Sequence, residues 1–282
     1  MINEYLNRMK HIAKAGGEIA LERISNNSHS IKSDNSILTN TDIEISKSAR
    51  KIIGDLLATP DHLIIDEEDP TNIKYLDQSR LEKTPFVWAL DPIDGTRSYS
   101  NHMPNFGISI GLLKNLEPWL GMVYFPMLRE LFYSDGEKSF FVLNPFTENE
   151  TKTVIAPIEQ PVSRQSLFIC NDSFSENFDW HYTDCQIMNP ACAVLSLCWP
   201  AIGRGCGAFF GASIWDFAGS WPIFLSSGLN LRSYKTGQEL TKINVALFKG
   251  TDKCPWRLRE YHILSSSQNY ATIKKRITSK HF

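Results

Sequence analysis

Phe86-Val-Trp-Ala-Leu-Asp91-Pro-Ile-Asp94-Gly-Thr96 decides how this chain folds. A short apolar run, Phe86–Leu90, ends abruptly in acid, as a buried strand does when it delivers a carboxylate at its tip. Pro92 fixes one φ and removes one donor, so the chain can turn between the two acids. Gly95 permits a backbone conformation that other residues avoid, and the amides after it can face an anion if they open a helix. The pattern recurs upstream, where Leu63-Ile-Ile65 runs into Asp66-Glu-Glu-Asp69, and downstream, where Asp216 follows Trp215 at a predicted helix start. Packed, unpaired carboxylates repel and raise one another's pKa, so such a cluster stays in water or is neutralised. Hard divalent cations neutralise it, and Mg²⁺ binds through a few carboxylates plus substrate phosphate. Asp61, Glu68 and Asp69 read as ordinary surface charges. A calcium EF-hand fails, because its first ligand would be Leu90.

Outward from this stretch the pattern is mixed α/β. Met9, Ile12, Ala13, Gly16, Ile19 and Ala20 recur at helical spacing within Tyr5 to Ile24, and Asp42 heads a second helix that ends before Pro60. Strand-like runs follow at 106–113, 120–125, 130–134 and 140–143, with turn residues between them. The polar stretch Asn144–Pro161 reads as a seam between two halves, 1–145 holding most of the acids and 146–282 holding Asp216 and a pocket wall. Beyond it, 167–170 reads as a strand, 193–202 as a helix, and 216–227 as one helix closed by Gly228. Layered sheets and helices are the expected architecture.

Composition excludes several classes of function. The 282 residues carry 29 Lys+Arg against 31 Asp+Glu, a net charge of -2, which gives no electrostatic reason to expect nucleic-acid binding. No apolar run is long enough for a membrane helix, and the polar N-terminus does not resemble a signal peptide, so a cytoplasmic protein is expected. The six cysteines form no Cys-x-x-Cys and are expected as reduced thiols. The seven histidines form no ligand-spaced pair.

Asp91-Pro-Ile-Asp-Gly-Thr96, the upstream Glu67-Glu68 and Trp215-Asp216-x-Ala218 resemble the signature motifs of the inositol monophosphatase family, in family order. Lys32…Thr41-Asp42 and Gly121-Met-Val-Tyr-Phe-Pro126 resemble two further elements of it. The resemblance implies an αβαβα sandwich and a magnesium-dependent, lithium-sensitive phosphomonoesterase, cytoplasmic and homodimeric, with two or three Mg²⁺ per site. It also implies residue roles. Glu67, Asp91 and the carbonyl of Ile93 would hold one Mg²⁺, and Asp91, Asp94 and Asp216 a second. Thr96, linked to Asp42, would orient the attacking water, and the Gly95 and Thr96 amides would cradle phosphate. Ala191, Cys192, Gly211 and Asp216 would line the substrate.

Competing readings are weaker. Gly107-Ile-Ser109-Ile-Gly111 matches a nucleophile elbow, but Ser109 lies inside an apolar run where the elbow needs a sharp strand-to-helix turn. Gly203-x-Gly205-x-Gly207 has the wrong spacing for a dinucleotide fingerprint. Haloacid-dehalogenase-like phosphatases separate their two loop acids by one residue, not by two with a proline, so water is favoured as nucleophile. A non-catalytic metal- or anion-binding protein on the same fold is the alternative of a different class. The pocket wall departs from the resemblance. Pro190-Ala-Cys-Ala193 stands where Gly-Ser/Thr-Ala is usual, and Phe209-Phe-Gly211 lacks the glutamate that inositol phosphatases place after paired aromatics. Arg97-Ser-Tyr99 resembles the histidinol-phosphatase branch. Inositol 1-phosphate is the expected substrate, with only modest preference; histidinol phosphate, a sugar bisphosphate and 3′-phosphoadenosine 5′-phosphate are the alternatives.

Overall fold

A computed structural model describes residues 2–26, 29–31, 37–159, 161–181 and 185–280. Two long helices, Ile2–Arg23 and Asn40–Ile52, bury the apolar stripe that their sequences predict, including Met9, Ile12, Ala13, Ile45 and Ala49. They cover one face of a seven-stranded sheet that runs in chain order from His62–Asp66 to Thr151–Ile155. Its first two strands are parallel and every later neighbour is antiparallel.

The opposite face of the sheet packs on Ala193–Cys198, Ile214–Ala218 and Trp221–Ser226. These middle helices pack in turn against a five-stranded sheet whose order is Gln186–Met188, Leu167–Ile169, Gly207–Phe210, His262–Ser265, Asn230–Ser233. Helix Ser267–Lys274 and an aromatic cluster around Phe174, Phe178 and Phe209 close the far side. The layers are therefore helix, sheet, helix, sheet, helix, as expected. No helix among the described residues is long and apolar enough to cross a membrane.

Two expectations need correction. The polar stretch 144–161 contains strand Thr151–Ile155, which pairs with Ser139–Leu143, so the first sheet runs past the expected boundary at 145/146. That strand exposes four of its five residues, which is why it reads as polar linker. The helix expected over 216–227 is two helices, ending at Ala218 and restarting at Trp221. Pro222 has no N–H to return to the carbonyl of Ala218, four residues back, so the ladder breaks there.

Glycines set how closely the middle helices approach the sheet. A Cβ on Gly121 would overlap the carbonyl of Gly219, and one on Gly111 would overlap Ala218. Gly121→Ala should therefore destabilise the protein by about 1–3 kcal/mol through overpacking against backbone. Gly54→Ala, which meets nothing within 4 Å, should stabilise by about 0.4–1 kcal/mol. Chemical denaturation measures both, and equal midpoints for the two variants would contradict this account of the packing.

Candidate active site

Strand Phe86–Asp94 pairs antiparallel with Gly107–Lys114, and its register slips once: Asp91 faces Ser109, but Asp94 faces Gly107. Three steps on one strand thus answer two on the other, a bulge at Pro92-Ile93. In a regular strand, residues three apart point to opposite faces. The bulge brings Asp94 round to the side of Asp91, and Pro92 is tolerated because its position needs no ladder donor. On the parallel neighbour, Asp66 pairs with Leu90 and the amide of Glu67 donates to the Leu90 carbonyl at 3.1 Å, which sets Glu67 beside Asp91. Asp216 arrives from the middle layer. It is the third residue of helix Ile214–Ala218, and its Oδ2 accepts from the Ser213 amide at 2.6 Å in a capping box.

These elements converge. Asp91, Asp94 and Asp216 each offer a carboxylate oxygen within 4.8 Å of the others. Asp91 and Asp94 are buried, and Oδ1 of each has no hydrogen-bond partner. Burial, then the charges of Glu67, Asp94 and Asp216, pushes the Asp91 carboxyl well above the usual range. Burial also pushes Asp94 up to about 7, against the pull of the Cys192 thiol and the Val194 and Ala193 amides. Asp216 is likewise raised, by burial and by the charges of Asp94 and Glu67. Oxygen-only donors, uncompensated charge and orphaned buried oxygens fit a hard divalent cation.

The neighbouring acids have other work. Asp66 is fully buried and accepts from Ser46 Oγ at 2.5 Å and Arg50 Nε at 2.7 Å, while Asp69 accepts from Arg50 Nη2 at 3.1 Å. Gly95 adopts a left-handed backbone (φ 84°), and a Cβ there would lie 2.6 Å from the Asn105 carbonyl oxygen. It caps the short helix Thr96–Ser100. The expected Thr96–Asp42 link is replaced: the Thr96 hydroxyl donates to the Ile93 carbonyl at 3.0 Å. Asp42 instead closes a capping box with Thr39 on helix Asn40–Ile52, where Thr41 meets the hydroxyl of Tyr99 from the Thr96 helix at 3.3 Å. Lys32 lies outside the described residues. Ser109 is no nucleophile elbow, since it is buried mid-strand and donates to the Trp215 carbonyl at 3.1 Å. All six cysteines are free thiols.

A pocket of about 360 Å³ opens beside the acids, and Asp94, Gly95, Ala191, Cys192, Gly211 and Asp216 all line it. Cys192 caps helix Ala193–Cys198 and its thiol donates to the Asp94 carbonyl at 3.8 Å. Reading the sequence did not find Asn171, Asp172, Ser173, Asn189 or Arg257 in this wall. They come from loops whose only sequence signal is polarity, and they meet through the second sheet.

The inositol monophosphatase family model matches residues 2–273. The chain belongs to that family. Its members are phosphatases, and the chain is a phosphoric monoester hydrolase. It is 25% identical over 239 residues to a fructose-1,6-bisphosphatase/inositol-1-monophosphatase of Aquifex aeolicus, covering 80% of this chain and 84% of the relative. It is 28% identical over 237 residues to the Nus factor SuhB of Pasteurella multocida, covering 79% and 84%. Among solved structures, a dual-specific IMPase/NADP phosphatase bound with D-inositol-1-phosphate superposes with TM-score 0.71 at 16% identity, covering 98% and 95% of the two chains. The Thermotoga maritima IMPase superposes at 0.69 with 21% identity, covering 96% and 95%.

A carboxyl whose proton is held more tightly in the folded chain stabilises the fold only while protonated. Metal-free protein should therefore lose stability as pH rises from the ordinary 3.8 through about 7, and Asp94→Asn should flatten that slope. Thermal unfolding across this pH range in chelator checks it; identical slopes for wild type and variant would contradict the raised carboxyl.

Proposed function

We propose that the chain hydrolyses small phosphomonoesters, inositol 1-phosphate among them, with Mg²⁺ held by Glu67, Asp91, the Ile93 carbonyl, Asp94 and Asp216. The observation that carries this is the trio of carboxylates within 4.8 Å, two of which, Asp94 and Asp216, line the pocket, with orphaned oxygens on Asp91 and Asp94. Bound there, two or three magnesium ions would supply positive charge to the phosphoryl oxygens and acidify water. The Gly95 and Thr96 amides would receive phosphate oxygens. While donating to Ile93, the Thr96 hydroxyl keeps lone pairs with which to orient a water for in-line attack. Asp42 would support the Thr96 helix from the neighbouring first turn. Phosphoryl transfer requires such positioning and charge neutralisation more than covalent catalysis, which suits a site without an activated nucleophilic side chain.

Relatives named for inositol-1-phosphate and for fructose 1,6-bisphosphate, and a structural neighbour named for NADP, support reading this pocket as a metabolite phosphatase site. With no side-chain acceptor at Gly211, losing one hydroxyl contact costs roughly tenfold to a hundredfold in discrimination, so selectivity for inositol 1-phosphate should be modest. The test is phosphate release from a panel of phosphomonoesters. We expect dependence on Mg²⁺, inhibition by millimolar lithium, and loss of turnover in Asp91→Asn and Asp94→Asn. Hydrolysis that continues undiminished in excess chelator would overturn the metal assignment.

A further inference from the structure

Gly211 carries no side chain, and none would fit, because a Cβ there would overlap the ring of Tyr261. That ring is fixed, stacked on Phe209 with centroids 5.1 Å apart and its hydroxyl 3.1 Å from Ser173 Oγ. The side chain that borders the pocket here is Arg257. Its backbone bridges Ser213, with the Ile214 amide on the Trp256 carbonyl (3.1 Å) and the Leu258 amide on the Ala212 carbonyl (3.0 Å). This register seats Arg257 against the cap residue whose amide holds Asp216. Arg257 Nη2 donates to the Gly211 carbonyl at 3.3 Å, and no carboxylate pairs with it among the described residues. Arg97 is different, since it is already paired with Asp172 at 2.9 Å, and Asp172 also accepts from Asn189 at 2.6 Å.

A guanidinium has five donors in a planar fork that matches carboxylate and phosphate. One donor of Arg257 is used on a neutral carbonyl, and with no carboxylate in an ion pair with it among the described residues, the rest of its fork is open to an anion that enters the pocket. A neutral polyol could accept a hydrogen bond there but could not answer the guanidinium charge. We propose that Arg257 sets the specificity of this pocket, selecting phosphomonoesters that carry a second anionic group over phosphates of neutral alcohols. The proposal rests on the phosphomonoesterase reading above. The second anion is a carboxylate or a second phosphate, since the fork takes both.

Matched substrates test it: 3-phosphoglycerate against glycerol 3-phosphate for a carboxylate, and fructose 1,6-bisphosphate against fructose 6-phosphate for a phosphate. In wild type the member of each pair with the extra anion should have the higher kcat/KM, by roughly tenfold or more for a charge-assisted bond. Arg257→Ala should collapse that ratio, chiefly through KM, and Arg257→Lys should restore part of it. An effect on one pair alone would identify which anion the fork reads. A ratio near one in wild type, or one unchanged in Arg257→Ala, would overturn the proposal and leave the phosphatase reading standing. If wild type hydrolyses inositol 1-phosphate but none of the four, the proposal fails and the phosphatase reading stands; if it hydrolyses none of the five, the phosphomonoesterase reading of this pocket fails. Calorimetric affinities of wild type and Arg257→Ala for 3-phosphoglycerate and glycerol 3-phosphate then decide the role of Arg257 on the same criterion.

Discussion

Mutual repulsion among Asp91, Asp94 and Asp216 is the constraint under which the centre of this molecule is built. Three carboxylates within 4.8 Å, two of them buried, are unfavourable in any protein interior unless protonated or matched by cation charge. Two other buried acids are treated conventionally. Asp66 is answered by Arg50 and Ser46, and Glu130 takes both oxygens to Arg204 at 2.7 and 2.9 Å. The contrast matters because it shows that basic partners were available to the architecture and were placed one residue away from Glu67, not at the cluster itself. An arginine on Asp66 keeps that acid from adding its charge to its neighbours.

Holding repelling groups together requires rigid elements, and three elements from two layers contribute. The bulge in strand Phe86–Asp94 aims two acids to one side, the parallel pairing with His62–Asp66 sets Glu67, and the middle layer brings Asp216. The depth of the last is set by backbone-to-backbone contact. Gly111 and Gly121 let Ala218 and Gly219 rest on the sheet, and Ser109 ties the sheet to the Trp215 carbonyl one residue before the acid. A hydroxyl that imitates a nucleophile motif is therefore part of the scaffold.

The layered fold and the acid cluster were legible in the sequence because both rest on short-range signals. Apolar runs ending in acid mark strand ends, and Asp-Pro-Ile-Asp-Gly-Thr carries its turn chemistry within six residues. What was not legible depends on partners distant along the chain. Thr151–Ile155 looks like linker because, as an edge strand, it has few buried positions to reveal it. The break at Gly219-Ser220 was signalled by Pro222, which the apolar periodicity on either side obscured. Thr96 binds Ile93 and not Asp42, a choice of hydrogen bond that residue types do not determine. Arg257 enters the wall only through its pairing with Ser213, across a separation no local motif spans.

The packing of Tyr261 over Gly211 also constrains how this pocket can change over evolutionary time. Placing a glutamate at 211 inserts a side chain into a volume that the aromatic ring already fills, so that substitution alone is harmful whatever it offers a substrate. Shrinking Tyr261 first removes the stack on Phe209 and the contact with Ser173, which is harmful in its turn. Each change is tolerable only after the other. The two positions are thus joined by epistasis, and a lineage carrying this pair reaches a carboxylate-walled pocket only by changing both together or by first rebuilding the aromatic cluster behind them.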